Sequence, residues 1–100
     1  MIRGTTPTHT FELPFDTAEI KELKVIYAQD NEQLFCKRMD DCEVDGSNVS
    51  VKLTQEETFL FDCKKMVQIQ IRVLTFDDDS LITAVMKVPV DKCLDDEVLS

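Results

Sequence analysis

The sequence predicts an all-β protein, a single immunoglobulin-like antiparallel β-sandwich of about six or seven strands with one short helical turn. Three observations carry that prediction. From Val67 the chain reads Val-Gln-Ile-Gln-Ile-Arg-Val, with Val67, Ile69, Ile71 and Val73 alternating with Gln68, Gln70 and Arg72. A period of two belongs to a half-buried strand, and four β-branched residues would crowd χ1 on a helix. Alternating stretches recur at Thr8 to Leu13, Glu22 to Gln29 and Val49 to Leu53, with polar turns between them. The chain is 43% hydrophobic, with six Phe, one Tyr, no Trp and only two Gly and three Pro, which supplies one ordinary core. The Trp and disulfide of antibody domains are missing, so the prediction is of architecture, and a small open barrel is the competing fold.

At 100 residues the chain is one domain, able to bury roughly two-thirds of the surface its unfolded form exposes. It divides into a β-sandwich domain, 1–90, and an acidic C-terminal tail, 91–100.

Thr8 to Leu13 is the first strand, with His9, Phe11 and Leu13 on one face. Pro7 and Pro14 lack ladder donors and confine it to an edge. Asp16-Thr17-Ala18-Glu19 has capping-box spacing and predicts one helical turn. Glu22 to Gln29 follows, with Leu23, Val25 and Tyr27 inward and Glu22, Lys24 and Ile26 outward. Asp30-Asn31-Glu32 is a turn that tolerates positive φ at Asn31, and Gln33 to Arg38 returns as its hairpin partner. The register there is open, because Leu34 and Cys36 compete with Phe35 for the inward face.

Asp40 to Asn48 is the most polar stretch, a turn with a short strand at Cys42 to Val44. Val49, Val51 and Leu53 form the next inward face. Thr54-Gln55-Glu56-Glu57 is a second capping box, in which Thr54 accepts from the Glu57 amide while Glu57 reaches back. The helix it starts brings Phe59 and Phe61 onto the core. The central strand, Val67 to Phe76, passes through the turn Asp77-Asp78-Asp79-Ser80 into a closing strand, Leu81 to Val90. Ile82, Ala84, Met86, Val88 and Val90 share one face of that strand. From Asp91 the alternation stops, and the tail reads as extended or disordered.

Twenty acidic and eleven basic residues give a net charge of −9. Such a surface repels phosphate backbones and anionic head groups, so neither nucleic acid nor a membrane is expected as a partner. No apolar run has the length of a signal peptide or a bilayer span, which makes the cytoplasm the default location. Cys36, Cys42, Cys63 and Cys93 sit at uneven spacings without Cys-x-x-Cys, neither a zinc-ribbon nor a redox pattern. Cys63 and Cys93 flank the open end of the last hairpin, within disulfide reach, and unpaired thiols are the expected state in a reducing compartment.

His9 is the single histidine, so no His-pair metal site can form within one chain. A Cys-His pair is formally available, but a rim or core histidine is the expected reading. Asp77, Asp78 and Asp79, and likewise Asp40, Asp41 and Asp45, offer oxygens to Ca²⁺, yet neither set has the spacing of a calcium loop. Gly4 and Gly46 stand alone, so no glycine-rich phosphate loop exists. Lys64-Lys65 is too short for a basic patch. The expectation is a non-enzymatic protein without catalytic residues, metal site or cofactor.

A strand from Val49, then Leu53-Thr54-Gln55-Glu56-Glu57-Thr58 with aromatics after it, Val67-Gln-Ile-Gln-Ile-Arg-Val, an acidic turn and Val88-Pro-Val-Asp-Lys-Cys-Leu form a recognisable order. With Arg3-Gly4-Thr5-Thr6-Pro7-Thr8-His9 and Phe15-Asp16 ahead of Val25-Ile26-Tyr27-Ala28-Gln29, the chain resembles small uncharacterised proteins encoded in prophages and phages of Gram-positive gut bacteria. Its last half is more loosely similar to the immunoglobulin-like N-terminal domain of phage baseplate upper proteins. The resemblance implies a structural or assembly role of tail or baseplate type, in the bacterial cytoplasm or the virion, with no catalytic residues.

Two function classes follow. In the favoured one the domain is an interaction module that docks on a phage structural protein or on another copy of itself. It does so through a sheet edge or through Leu94, Val98 and Leu99 of the tail. In the alternative it is a metal- or ligand-binding accessory protein whose acidic turns are the site. The first predicts oligomers or a stable complex indifferent to Ca²⁺, the second a melting temperature that rises with added metal.

Overall fold

The computed structural model describes residues 1–95 and 97–99. Its strands are β1 (Thr8–Glu12), β2 (Ile20–Gln29), β3 (Glu32–Arg38), β4 (Cys42–Asp45), β5 (Asn48–Lys52), β6 (Val67–Thr75), β7 (Ser80–Ile82) and β8 (Met86–Val88). They form two antiparallel sheets. One has the order β1-β5-β4; the other runs β3-β2-β6-β7, with β8 also paired to β6. An immunoglobulin sandwich places strands B-E-D in one sheet against C-F-G in the other, extended by C′. β1-β5-β4 and β3-β2-β6 with β7 and β8 occupy those places in the same order. Ile2 adds a parallel bridge to Asp91 beside the last strand.

The inner faces follow from the period of two. Leu23, Val25 and Tyr27 of β2, Val67, Ile69, Ile71 and Val73 of β6, and Val49 and Val51 of β5 are all buried, and Leu53 and Phe61 close the core. The turn between β2 and β3 has positive φ at both Asp30 and Asn31, the two-residue geometry whose twist matches its strands. Asp16 caps a 3-10 turn at Thr17–Glu19 by accepting from the Ala18 amide. Thr54 and Glu57 form the complete capping box of α1 (Gln55–Phe59).

Three expectations are corrected or completed. The closing strand is broken in two, which raises the strand number to eight. Ile82 lies opposite Arg72 and Met86 opposite Ile69, so the closing side holds one more residue than β6 between those pairs. Thr83 spans the irregularity. Its amide donates to Ile71 O at 3.0 Å, and its hydroxyl accepts from Ile71 N at 3.0 Å. One inserted residue flips the alternation, so Ile82 points outward, 57% exposed, while Val90 is buried.

A second irregularity settles the register of β3. Between Tyr27 and Ala28 the pairing slips around Leu34, which puts Phe35 inward against Tyr27 and Cys36 outward opposite Ile26. The third correction concerns Phe59, which is outside the core. Its ring lies beneath the N-terminal segment, with the Arg3 guanidinium 5.3 Å from its centroid and Arg3 donating to its carbonyl at 2.8 Å. Gly4, at φ +82°, passes so close that an added Cβ would meet Phe59 Cζ at 2.5 Å.

Candidate protein-interaction face

Strand pairing sets the outer face of the five-stranded sheet. Glu22, Lys24, Ile26 and Ala28 of β2 point outward, as do Gln68, Gln70, Arg72 and Leu74 of β6, and no element of the described chain covers them. Lys24 is directly opposite Arg38 on one side and Arg72 on the other. Three cations therefore stand in one row across three strands. Lys87 of β8, opposite Gln68, adds a fourth to the face, and Glu22 is the single carboxylate on its strand residues. On a chain of net charge −9 this is a local reversal of sign.

Like charges directly opposite on a sheet destabilise it, since their Cβ atoms lie about 4.5–5.5 Å apart. Two lysines elsewhere are paired within the fold. Lys37 reaches Glu57 at 2.7 Å, and Lys65 reaches Asp30 at 2.8 Å, which raises the lysine's pKa through that hydrogen bond. Among the described residues no carboxylate pairs with the side-chain nitrogens of Lys24, Arg38 or Arg72, although Asp41 accepts from the Arg38 backbone amide at 3.1 Å.

Two hollows open on this face. One, about 310 Å³, is lined by Glu22, Lys24, Arg38, Arg72, Leu74 and Ser80 together with Leu23 and Val73. The other, about 270 Å³, is lined by Ile26, Ala28, Asn31, Gln33, Gln68, Gln70 and Val85. The face thus joins a cationic half to a half made of amides and short aliphatic chains. Cations suit carboxylates, and the amides can donate to and accept from a peptide backbone.

The residues singled out in the sequence fall elsewhere. His9 does not meet a cysteine. Its Nδ1 lies 2.9 Å from Tyr27 Oη, and the rings stack at 5.9 Å. Burial, then Cys42 and Glu57, pushes the Tyr27 pKa up, so the phenol keeps its proton. Burial and then the Met1 ammonium hold the His9 pKa below its ordinary value. Phe35 stacks on Tyr27 at 5.0 Å and Phe61 lies tilted against it at 6.2 Å, so aromatic rings flank this polar bridge between sheets.

Asp77, Asp78 and Asp79 are exposed in a turn built by backbone bonds around Thr75, including Asp78 N to Thr75 O at 3.0 Å. Among the described residues no three His, Cys, Asp or Glu side chains gather as a metal site. Cys36, Cys42, Cys63 and Cys93 are free thiols. Burial and the neighbouring Asp41 raise the Cys42 pKa, away from a nucleophilic thiolate. The tail is anchored at two points. Asp91 exchanges backbone bonds with Met1 and Arg3, and Leu99 exchanges two with the Gln55 amide, while Asp96 and Ser100 lie outside the described residues.

The cation row is the feature that linear reading missed. Its members are separated by 14 and 34 residues (24 to 38, 38 to 72), and only the register brings them together. The turn at Asp30 and Asn31 alone would place Lys37 opposite Lys24; the slip at Leu34 substitutes Arg38. No helix among the described residues is long and apolar enough to cross a membrane. No family model, curated protein or solved structure matches the chain.

Proposed function

We propose that the protein is a non-enzymatic interaction module that serves structural assembly, of the phage or prophage tail and baseplate kind its sequence resembles. The observation that carries this reading is the cation row of Lys24, Arg38 and Arg72 on an uncovered sheet face, unpaired by any carboxylate within the described chain. A row that weakens its own sheet finds its counter-charge in a partner. The partner is protein, a phage structural component or a further copy of this chain, in the cytoplasm of a bacterial host or in the virion. Nucleic acid fits poorly, because Glu22 lies within the row's hollow and the exposed Asp77, Asp78 and Asp79 sit at the β6–β7 turn beside it. The acidic turns as a metal site have no gathered ligands to support them.

Light-scattering chromatography of the full chain over a range of concentrations, with and without residues 93–100 and with and without Ca²⁺, tests the reading. The expected result is association that grows with concentration, is indifferent to Ca²⁺ and weakens on truncation. A mass that stays monomeric throughout would end the self-assembly reading, and a Ca²⁺-dependent rise in Tm would favour the metal-binding one.

A further inference from the structure

The row of Lys24, Arg38 and Arg72 has a length as well as a charge. Neighbouring strands lie about 4.7–4.9 Å apart, so three cations on three adjacent strands span roughly 9–10 Å across the sheet. Ile82, exposed opposite Arg72, continues that row onto β7. One row further along the strands, about 6.6 Å away, Ile26 stands opposite Gln70, and the exposed Val85 joins Ile26 in the lining of the second hollow. A row of positive charge therefore runs beside a row of aliphatic chains. The amides of the face are already engaged. Gln68 exchanges hydrogen bonds with Asn31 at 2.7 and 3.0 Å, and the Gln70 amide donates to Thr83 O at 3.1 Å. The cations have no such partners, since among the described residues no carboxylate meets their side-chain nitrogens.

Three occupants can be compared on this face. A second copy laid on it would set Lys24, Arg38, Arg72 and Lys87 against the same four cations, with Glu22 from each side as the only carboxylates on the facing strand residues. Such a contact lacks charge complementarity. A nucleic acid would find no platform on which to stack its bases, because Tyr27, Phe35 and Phe61 pack on one another at the inner side, and Glu22 lies in the hollow beside the row. An acidic segment of another protein meets neither obstacle. Its form follows from spacing. Residues i, i+3 and i+7 make one stripe of an α-helix and rise roughly 10.5 Å from first to last, close to the length of the row. Three side chains on one face of an extended strand span roughly 13 Å and overshoot it. A helix about 10–12 Å wide along the row also covers the aliphatic row beside it.

We propose that the outer face of the five-stranded sheet binds an acidic amphipathic helix of another protein. The helix lies across the strands with one stripe of carboxylates on Lys24, Arg38 and Arg72 and a neighbouring apolar stripe on Ile26, Ile82 and Val85. This rests on the interaction-module reading above and names the chemistry of the partner. The chain as a whole carries a charge of −9, so an acidic partner is repelled elsewhere and is steered to the one face where the sign reverses.

The test titrates a synthetic helix into the full-length protein. The peptide is locked by a hydrocarbon staple on its far side and carries Glu at i, i+3 and i+7 and Leu at i+1, i+4 and i+8. Amide chemical shifts locate the contact, and fluorescence anisotropy measures its affinity. Shifts centred on Lys24, Ile26, Arg72 and Ile82 are expected, with an affinity that falls as salt is added. Lys24→Gln/Arg72→Gln should weaken binding about tenfold or more, and Ile82→Ala about fivefold. The amide spectrum of each unbound variant checks its fold. Two control peptides, one with the same residues but its Glu spread around the helix and one kept extended by proline, should each bind about tenfold more weakly. Equal binding of either control, shifts that map away from this sheet, full affinity in the glutamine variant, or displacement of the peptide by a single-stranded oligonucleotide would overturn the proposal. A stapled helix that does not bind, while the light-scattering series above shows association, would overturn this contact and leave the interaction reading intact. Neither binding nor association would overturn both.

Discussion

The two faces of the five-stranded sheet are built from the same strands and obey opposite rules. On the inner face of β6, Val67, Ile69, Ile71 and Val73 are at most 5% exposed and belong to one apolar cluster. On the outer face of the same strand, Arg72 stands directly across from Lys24, with Arg38 beyond it, and Ile82 opposite Arg72 is 57% exposed. The inner face is satisfied by the fold. The outer face is not: among the described residues the side chains of Lys24, Arg38 and Arg72 meet no carboxylate, so the fold balances the one face and leaves the other's charges open. A substitution that tests the first should cost folding energy, and one that tests the second should cost association alone.

The widest separation is expected between isoleucines on opposite faces. Ile71→Ala removes a side chain that is 1% exposed and leaves a cavity between the sheets, a loss of about 2–5 kcal/mol. Ile82→Ala on the outer face should fall within about 0.5 kcal/mol of the wild type. Urea unfolding of the two variants checks the contrast. Equal losses at both positions would mean that the outer face is covered in the folded monomer.

The His9–Tyr27 bridge is the polar exception on the inner side, and it sharpens the comparison because it is satisfied internally. Tyr27→Phe removes the hydroxyl and leaves Nδ1 of a half-buried imidazole without that partner, which should cost about 1 kcal/mol. The bridge also gives the inner side a pH dependence. His9 is held below its ordinary value of 6.5, by burial first and the Met1 ammonium second. As pH falls through 6.5 the unfolded chain takes up a proton that the folded chain resists, so stability declines. The contribution is complete above 6.5, is lost as pH falls toward the lowered folded-state value, and stops changing below it. Thermal melts from pH 7.5 to 5 should show that decline in the wild type and lack it in His9→Gln.

The inner face was legible in the sequence for a physical reason. Burial imposes the period of two directly on the residues, so Leu23, Val25, Tyr27, Val49, Val51 and the β6 set declared themselves, as did the turn with positive φ at Asn31 and the Thr54 capping box. The outer face was not legible. Its meaning depends on which residues stand opposite one another, and two inserted residues, at Leu34 and between Ile82 and Met86, set that register. Neither insertion leaves a mark in composition, since no glycine or proline falls within Gln33 to Arg38 or Ile82 to Met86. Phe59 was misjudged for a related reason. An aromatic after a helix looks like core, but its partners, Arg3 and Gly4, come from the far end of the chain.

The smallest expected effect bears most directly on the comparison. Arg72→Glu puts a carboxylate opposite Lys24 in place of a cation and turns a repulsive cross-strand pair into an attractive one. If packing of the arginine's aliphatic stem on the sheet outweighs that repulsion, the change should weaken the sheet or do nothing. If the cross-strand repulsion dominates, the isolated domain should gain about 0.2–1 kcal/mol, because that repulsion is gone. That gain should shrink in high salt, since the side chains are open to solvent and screened. Chemical denaturation at low and high ionic strength, at a concentration where the chain is monomeric, reads the change. A destabilised Arg72→Glu domain would show that the arginine holds its own sheet together, and the outer face would then obey the same rule as the inner one.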